Sequence, residues 1–303
     1  MELKRSTLVQ SVLDSVDAAS QAQLRRGPRV TFSDDGEIGD DQGGVTREMF
    51  AEFARRCALP DPGEMRLLKV TPANHVQPEP AEPDCNDSAT GSGTGIDVQY
   101  GRHYQNLGRV CGMALWTGDL LDVSFAPFFL KLVIDPERCC SFEENGSDLA
   151  DEDPELWRSL SAMLTAAEGS TTPDEEFGVM FERTISSSDC NSSDSAGAAM
   201  NSASDDTSST VAMAKRVQPR VVELIEGGSD VPVTHANARD FVEKYLHHKM
   251  CISVLPQARA FRRGLLDVLG DEVLLTIFSA AELSQLLGAQ LDVTNLMTSQ
   301  LPA

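Results

Sequence analysis

Two glycines four residues apart, Gly108 and Gly112, sit inside a helical apolar pattern in residues 100–117, YGRHYQNLGRVCGMALWT. Tyr104, Leu107, Cys111, Ala114 and Leu115 recur at the spacing of one helix face. Each glycine costs a helix interior about 1 kcal/mol relative to alanine, so the pair predicts a second element packed very close to this backbone. Cys111, on the buried face, reads as a small core residue and not as a nucleophile.

The rest of the composition allows such a core and narrows what it serves. At 303 residues and 41% apolar content, the chain is large enough for one big domain or two ordinary ones. Its 25 basic against 47 acidic residues give a net charge of −22, which leaves no broad basic footprint, so neither nucleic acid nor a membrane surface is an expected partner. The apolar run 123–134 is broken by Ser124, Pro127 and Lys131 and is too short to span a bilayer. The first residues lead into an amphipathic segment with Asp14 and Asp17 instead of the apolar core of a secretory leader, so an intracellular protein, cytoplasmic or also nuclear, is expected. Seven scattered cysteines without a C-x-x-C pair fit a reducing compartment. The five histidines form no H-E-x-x-H arrangement, and His247 and His248 are adjacent, so no metal or other cofactor is expected.

Taken in order, Leu3, Leu8, Val9, Val12, Leu13 and Val16 predict an opening helix that Gly27 and Pro28 stop. A strand at Val30, Thr31 and Phe32 then runs through a glycine-and-acid turn into a helix over 46–59, with Met49, Phe50 and Phe53 buried. The acids of that turn (Asp34, Asp35, Glu37, Asp40, Asp41) depart from calcium-loop spacing. Gly39, Gly43 and Gly44 are expected to supply positive φ or close approach, and Asp41, Arg47 and Glu48 to tie the turn to the helix start. Residues 65–70 suggest a strand.

Residues 72–95, rich in proline and acid and ending in GSGTG, lack the apolar content to order themselves and are expected to be a disordered insertion. Gly91, Gly93 and Gly95 make no phosphate cradle, because the dinucleotide spacing and a following Lys-Ser/Thr are both missing. A helix starting near Gly118 carries Phe125, Phe128, Phe129, Leu132 and Val133. The acidic run 143–155 leads to a helix that starts at Pro154 behind Asp153 as cap and bears Leu156, Trp157, Leu160, Met163 and Leu164. Residues 177–185, FGVMFERTI, alternate like one strand; 186–213, a Ser/Asp/Asn/Ala tract, is a second disordered insertion. Extended segments at 217–225 and 231–234 precede helices carrying Phe241, Val242, Tyr245 and Leu246, then 257–269, then 279–287 behind the capping box Ser279-x-x-Glu282.

The order of these pieces resembles the N-terminal lobe of the HECT-type ubiquitin ligases. The likeness rests on Val30-x-Phe32, Glu37-x-Gly39-x-Asp41-x-Gly43-Gly44-x-x-Arg47-Glu48-x-Phe50, Leu107-Gly108-Arg109-x-x-Gly112-x-Ala114-Leu115 and Asp153-Pro154-Glu155-Leu156-x-x-Ser159-Leu160. It continues in Pro232-Val233-Thr234-x-x-Asn237, Phe261-Arg262-x-Gly264 and Phe278-Ser279-x-x-Glu282-Leu283, and covers about residues 5–288 outside the two low-complexity tracts. It implies an α+β, predominantly helical fold. A large helical subdomain would take residues 1–150 and 251–288, a small α/β subdomain 151–250, and residues 289–303 would begin a linker to a second lobe.

The resemblance also implies the partner: a ubiquitin-conjugating enzyme docked in an apolar groove formed by Leu156 and Leu160 on a helix, Phe177 and Val179 on a strand, and Phe241 on the following helix. Ubiquitin and protein substrates would complete the set. On this expectation Leu160→Glu abolishes docking and spares the fold. In the family a cysteine of the second lobe carries ubiquitin as a thioester. None of the seven cysteines here stands in the Thr-Cys-Phe context that goes with it, so no catalytic residue is assigned, the catalytic lobe is expected to be missing, and the chain alone is expected to be inactive. The other expectation is a non-catalytic interaction module that binds a conjugating enzyme or another protein. A hydrolase or metalloenzyme is disfavoured, since there is no G-x-S-x-G elbow.

Overall fold

A computed structural model describes residues 1–32, 43–61, 63–80, 98–138, 140–185 and 220–288. The chain opens with β1 (Glu2–Leu3), a 3-10 turn (Arg5–Thr7), α1 (Leu8–Asp17), α2 (Gln21–Arg26), β2 (Thr31–Phe32) and α3 (Gly44–Ala58). Next come β3 (Leu68–Val70), β4 (Val76–Pro78), α4 (Val98–Thr117), α5 (Pro127–Ile134), α6 (Phe142–Glu152) and α7 (Pro154–Gly169). The last third holds β5 (Glu176–Met180), β6 (Glu182–Ile185), β7 (Arg220–Glu223), β8 (Pro232–Thr234) and α8 (Ala238–His247). A π turn (His248–Ile252) then leads to α9 (Leu255–Leu269), α10 (Glu272–Thr276) and α11 (Ala280–Leu287). The architecture is α+β and predominantly helical, with the strands in two-stranded pairs: β1 with β2 in parallel, and β3 with β4, β5 with β8 and β6 with β7 antiparallel.

The close neighbour predicted for α4 is α9. A Cβ added at Gly108 would overlap the Phe261 carbonyl, one at Gly112 would lie 2.9 Å from the Val268 side chain, and one at Gly264 would overlap the Gln105 carbonyl. Glycine on both helices lets the two backbones touch. Around this contact Phe125, Phe129 and Phe261 form a triangle of rings with centroids 5.4–5.9 Å apart. The buried Tyr104 hydroxyl donates to the Leu67 carbonyl at 2.7 Å, tying α4 to the chain entering β3. Two arginines close helix ends where carbonyls lack intrahelical donors. Arg262 donates to the Val133 and Ile134 carbonyls of α5 (3.0 and 2.7 Å), and Arg25 to the Val268 and Leu269 carbonyls of α9 (2.6 and 2.9 Å).

Several sequence expectations change. Leu3 is buried but belongs to β1, paired with Phe32, rather than to the first helix. The segment expected to be disordered from residue 72 is ordered at its start: β4 pairs with β3 and inserts Val76 into the core, where Val76 also bridges Phe125. Residues 81–95 and 186–213 lie outside the described residues. α5 begins at Pro127 and not near Gly118, so Phe125 reaches the core from an extended segment. The acidic run is itself a helix, α6, started by a capping box in which Ser141 and Glu144 satisfy each other's backbone N–H groups.

In the turn before α3, Asp41 and Gly39 lie outside the described residues. Arg47 approaches Asp119 (3.5 Å) and Glu48 pairs with Arg5, partners distant in sequence. Gly43 takes left-handed backbone with φ 95°, but Gly44 is helical, and among the described residues nothing approaches it closely enough to require glycine there.

Candidate partner-docking face

α6, α7 and α8 pack together, and the β5–β8 pair lies beside them. Pro154 opens α7, and the Asp153 carboxylate accepts from the Leu156 N–H (3.1 Å), the cap expected from sequence. Trp157 is directed at α6: a Cβ on Gly146 would sit 2.7 Å from its ring. Leu160 is 5% exposed and packs in the core. Leu156, Met163 and Leu164 are half-buried at the edge of that core.

The nine residues that alternate like one strand form two, because Phe181 turns inward between β5 and β6. Its ring meets Phe241 edge-on at 5.4 Å, and its carbonyl lies so close to Gly228 that a side chain there would overlap it. β5 and β6 then pair with different strands, β8 and β7. Within β5, Gly178 adopts φ 71° and the register with β8 shifts between Glu176 and Met180. Alternation is thereby lost, and two consecutive apolar side chains, Val179 and Met180, both stay 39% exposed. Phe177 is half-buried, its ring edge-on to His235 at 4.6 Å.

The five residues named for the groove thus separate. Leu160 and Phe241 (4% exposed) are core; Leu156 and Phe177 are half-buried; Val179 is open to solvent. Met180 joins the exposed set and was missed. The signal available was Gly178, which breaks the two-residue period that would have put Val179 and Met180 on opposite faces. Because Leu160 is enclosed, Leu160→Glu would bury an unpaired carboxylate, and the expectation that it spares the fold is withdrawn.

Cys57, Cys111 and Cys251 are buried, and burial pushes the thiols of Cys57 and Cys111 well above the ordinary range, away from the thiolate that attack requires. Cys140 is half-buried; Cys85, Cys139 and Cys190 lie outside the described residues. Among the described residues no group of three or more His, Cys, Asp or Glu side chains is placed to hold a metal, and no helix is long and apolar enough to cross a membrane.

A mostly helical α+β chain, with small strand pairs beside a helical layer and an apolar exposed strand, is the class of molecule that comparison with known proteins then narrows. The chain belongs to the HECT-domain (ubiquitin-transferase) family, whose sequence model matches residues 53–300. It is 26% identical over 258 residues to the E3 ubiquitin-protein ligase TOM1-like of Neurospora crassa, covering 85% of this chain and 5% of that protein. It is 24% identical over 293 residues to the E3 ubiquitin-protein ligase UPL6 of Arabidopsis thaliana (96% of this chain, 23% of that protein). With the human ubiquitin-protein ligase E3B the identity is 23% over 303 residues (97% and 24%). The chain therefore spans a quarter or less of the length of these curated relatives.

Proposed function

We propose that this chain is the part of a ubiquitin-protein ligase that recruits a ubiquitin-conjugating enzyme, and that the recruiting surface is the open side of β5. The observation that carries the reading is the pair Val179 and Met180, exposed side by side on a strand whose Phe177 is only half-buried. Exposed large apolar side chains that are adjacent, and not scattered singly, mark interaction surfaces. Family membership supplies the partner's chemistry. Leu160 and Phe241 are core residues and do not touch the partner.

The burial of Cys57, Cys111 and Cys251 supports a second part of the reading: docking and acyl transfer are separate tasks, and this chain alone performs the first. Calorimetric titration against a panel of ubiquitin-conjugating enzymes tests the docking, with saturable one-to-one binding to at least one of them as the expected result. Incubation with activating enzyme, conjugating enzyme and ubiquitin tests the separation. No reducible ubiquitin adduct should form on the chain, and one that did would show that a cysteine here is reactive after all.

A further inference from the structure

A second surface feature is polar and stands independently of the docking reading. A cleft of about 420 Å³ opens between the β3–β4 hairpin on one side and β6, α8 and the π turn on the other. That volume falls in the range of small-molecule sites, roughly 300–1,000 Å³. Its wall contains three cations from three elements: Lys69 of β3, Arg183 of β6 and Lys249 of the π turn. Arg183 is 8% exposed, and among the described residues no carboxylate lies within ion-pairing distance of it. Its Nη1 donates instead to the neutral imidazole of His248 (Nδ1, 2.9 Å), and its guanidinium lies 5.8 Å over the Tyr245 ring.

The two acids in the wall are already engaged. Glu152 accepts from the Thr71 hydroxyl at Oε2 (2.8 Å) and meets His75 Nδ1 at Oε1 (2.7 Å). Asp153 caps α7 with Oδ1, and its Oδ2 reaches Lys249 only at 3.9 Å. Three cations thus face two carboxylates in a recessed site, an excess of one positive charge where unpaired charge is costly. The crowding is visible on Lys249, which burial first and the neighbouring Arg183 second hold down at about 8. The chain's net charge of −22 does not oppose this, because charges beyond the Debye length of about 8 Å are screened at physiological salt while those in the cleft are not.

We propose that this cleft binds a phosphate monoester, with Arg183, Lys249 and Lys69 holding the dianionic head. Beyond its contacts with His248 and Tyr245, the Arg183 guanidinium has further N–H donors to offer, and a phosphate head has enough oxygens to meet them and the two ammonium groups together, where a single carboxylate has only two. Sequence reading passed over Arg183 within FERTI. Its signal was position: Arg183 shares the inward register of Phe181, whereas Glu182 and Thr184 are more exposed.

The test is isothermal titration of the full chain with inorganic phosphate and with O-phosphoserine at constant ionic strength, with serine as control. The proposal expects saturable one-to-one binding of at least one phosphate species, none of serine, and affinity weakened by about tenfold or more in Lys249→Gln and in Arg183→Gln. Tighter binding of phosphoserine would assign the site to a phosphorylated side chain, and equal or tighter binding of inorganic phosphate to a free phosphate; both support it. Because Arg183→Gln disturbs a buried contact, Lys249→Gln and Lys69→Gln, on partly exposed side chains, carry the decision. No saturable binding to the wild type, or unchanged affinity in both lysine variants, overturns the proposal.

Discussion

Gly264 and Gly108 each present bare backbone to the opposite helix, and this small fact sets the distance between α4 and α9. Two effects compete when either becomes alanine. Helix propensity improves by about 1 kcal/mol, whereas the new methyl overlaps a backbone carbonyl that cannot rotate away, and overpacking of that kind costs about 1–3 kcal/mol or more. The clash wins. Gly108→Ala and Gly264→Ala should each lower the thermal midpoint by several degrees, while Gly44→Ala, with open space around it, should leave it level or raise it; calorimetry distinguishes them.

His248 makes a pH prediction at the same scale. Burial first, then the charges of Arg183 and His247, hold its imidazole down at about 4 from an ordinary 6.5. The unfolded chain thus binds a proton in that window which the folded chain refuses, and stability falls as pH drops from 6.5 through 4. Glu52 extends the loss further into acid: hydrogen bonds from Arg55 and then Arg56 hold its carboxyl at about 2, so its contribution, complete above 4.5, disappears as pH falls toward 2. Urea midpoints should decline across the upper window in the wild type and decline less in His248→Gln. Parallel declines would mean that His248 is not the group responsible.

Among the elements, α7 and β5 differ in how far they expose the residues of the one groove that the family resemblance implied. An apolar stripe looks the same whether it faces the core or a partner, so the family resemblance that grouped Leu156, Leu160, Phe177, Val179 and Phe241 could not rank their exposure. Tertiary packing ranks them: α8 presents Phe241 to Phe181, α7 buries Leu160, and the Gly178 irregularity leaves the end of β5 open. The expected consequence is a clean contrast. Leu160→Glu should unfold the region around α7, costing several kcal/mol and visible as a lost or strongly lowered melting transition. Val179→Asp and Met180→Asp together should change stability by less than about 1 kcal/mol, because both side chains already face water.

Over the whole molecule, what could be read from sequence was local and periodic. The helices at α3, α4, α7, α9 and α11, the Asp153 cap and the Ser279–Glu282 box follow from spacing and capping chemistry, and Gly108 with Gly112 announced a close neighbour. Spacing could not name that neighbour, because Gly264 lies more than a hundred and fifty residues along the chain. It missed β4, whose Val76 is ordered by Phe125 and β3 and not by its own proline-rich surroundings. It joined β5 to β6, because the inward turn at Phe181 answers to Phe241 and Gly228. Charge reading was likewise global: a net of −22 removed nucleic acid from consideration and gave no hint that Lys69, Arg183 and Lys249 converge.

The central claim, that the open edge of β5 receives a ubiquitin-conjugating enzyme, is tested most directly by titrating the Val179→Asp, Met180→Asp double variant beside the wild type against an enzyme the wild type binds. The account predicts affinity weakened at least about tenfold with an unchanged melting transition. Wild-type affinity in a folded double variant would contradict it.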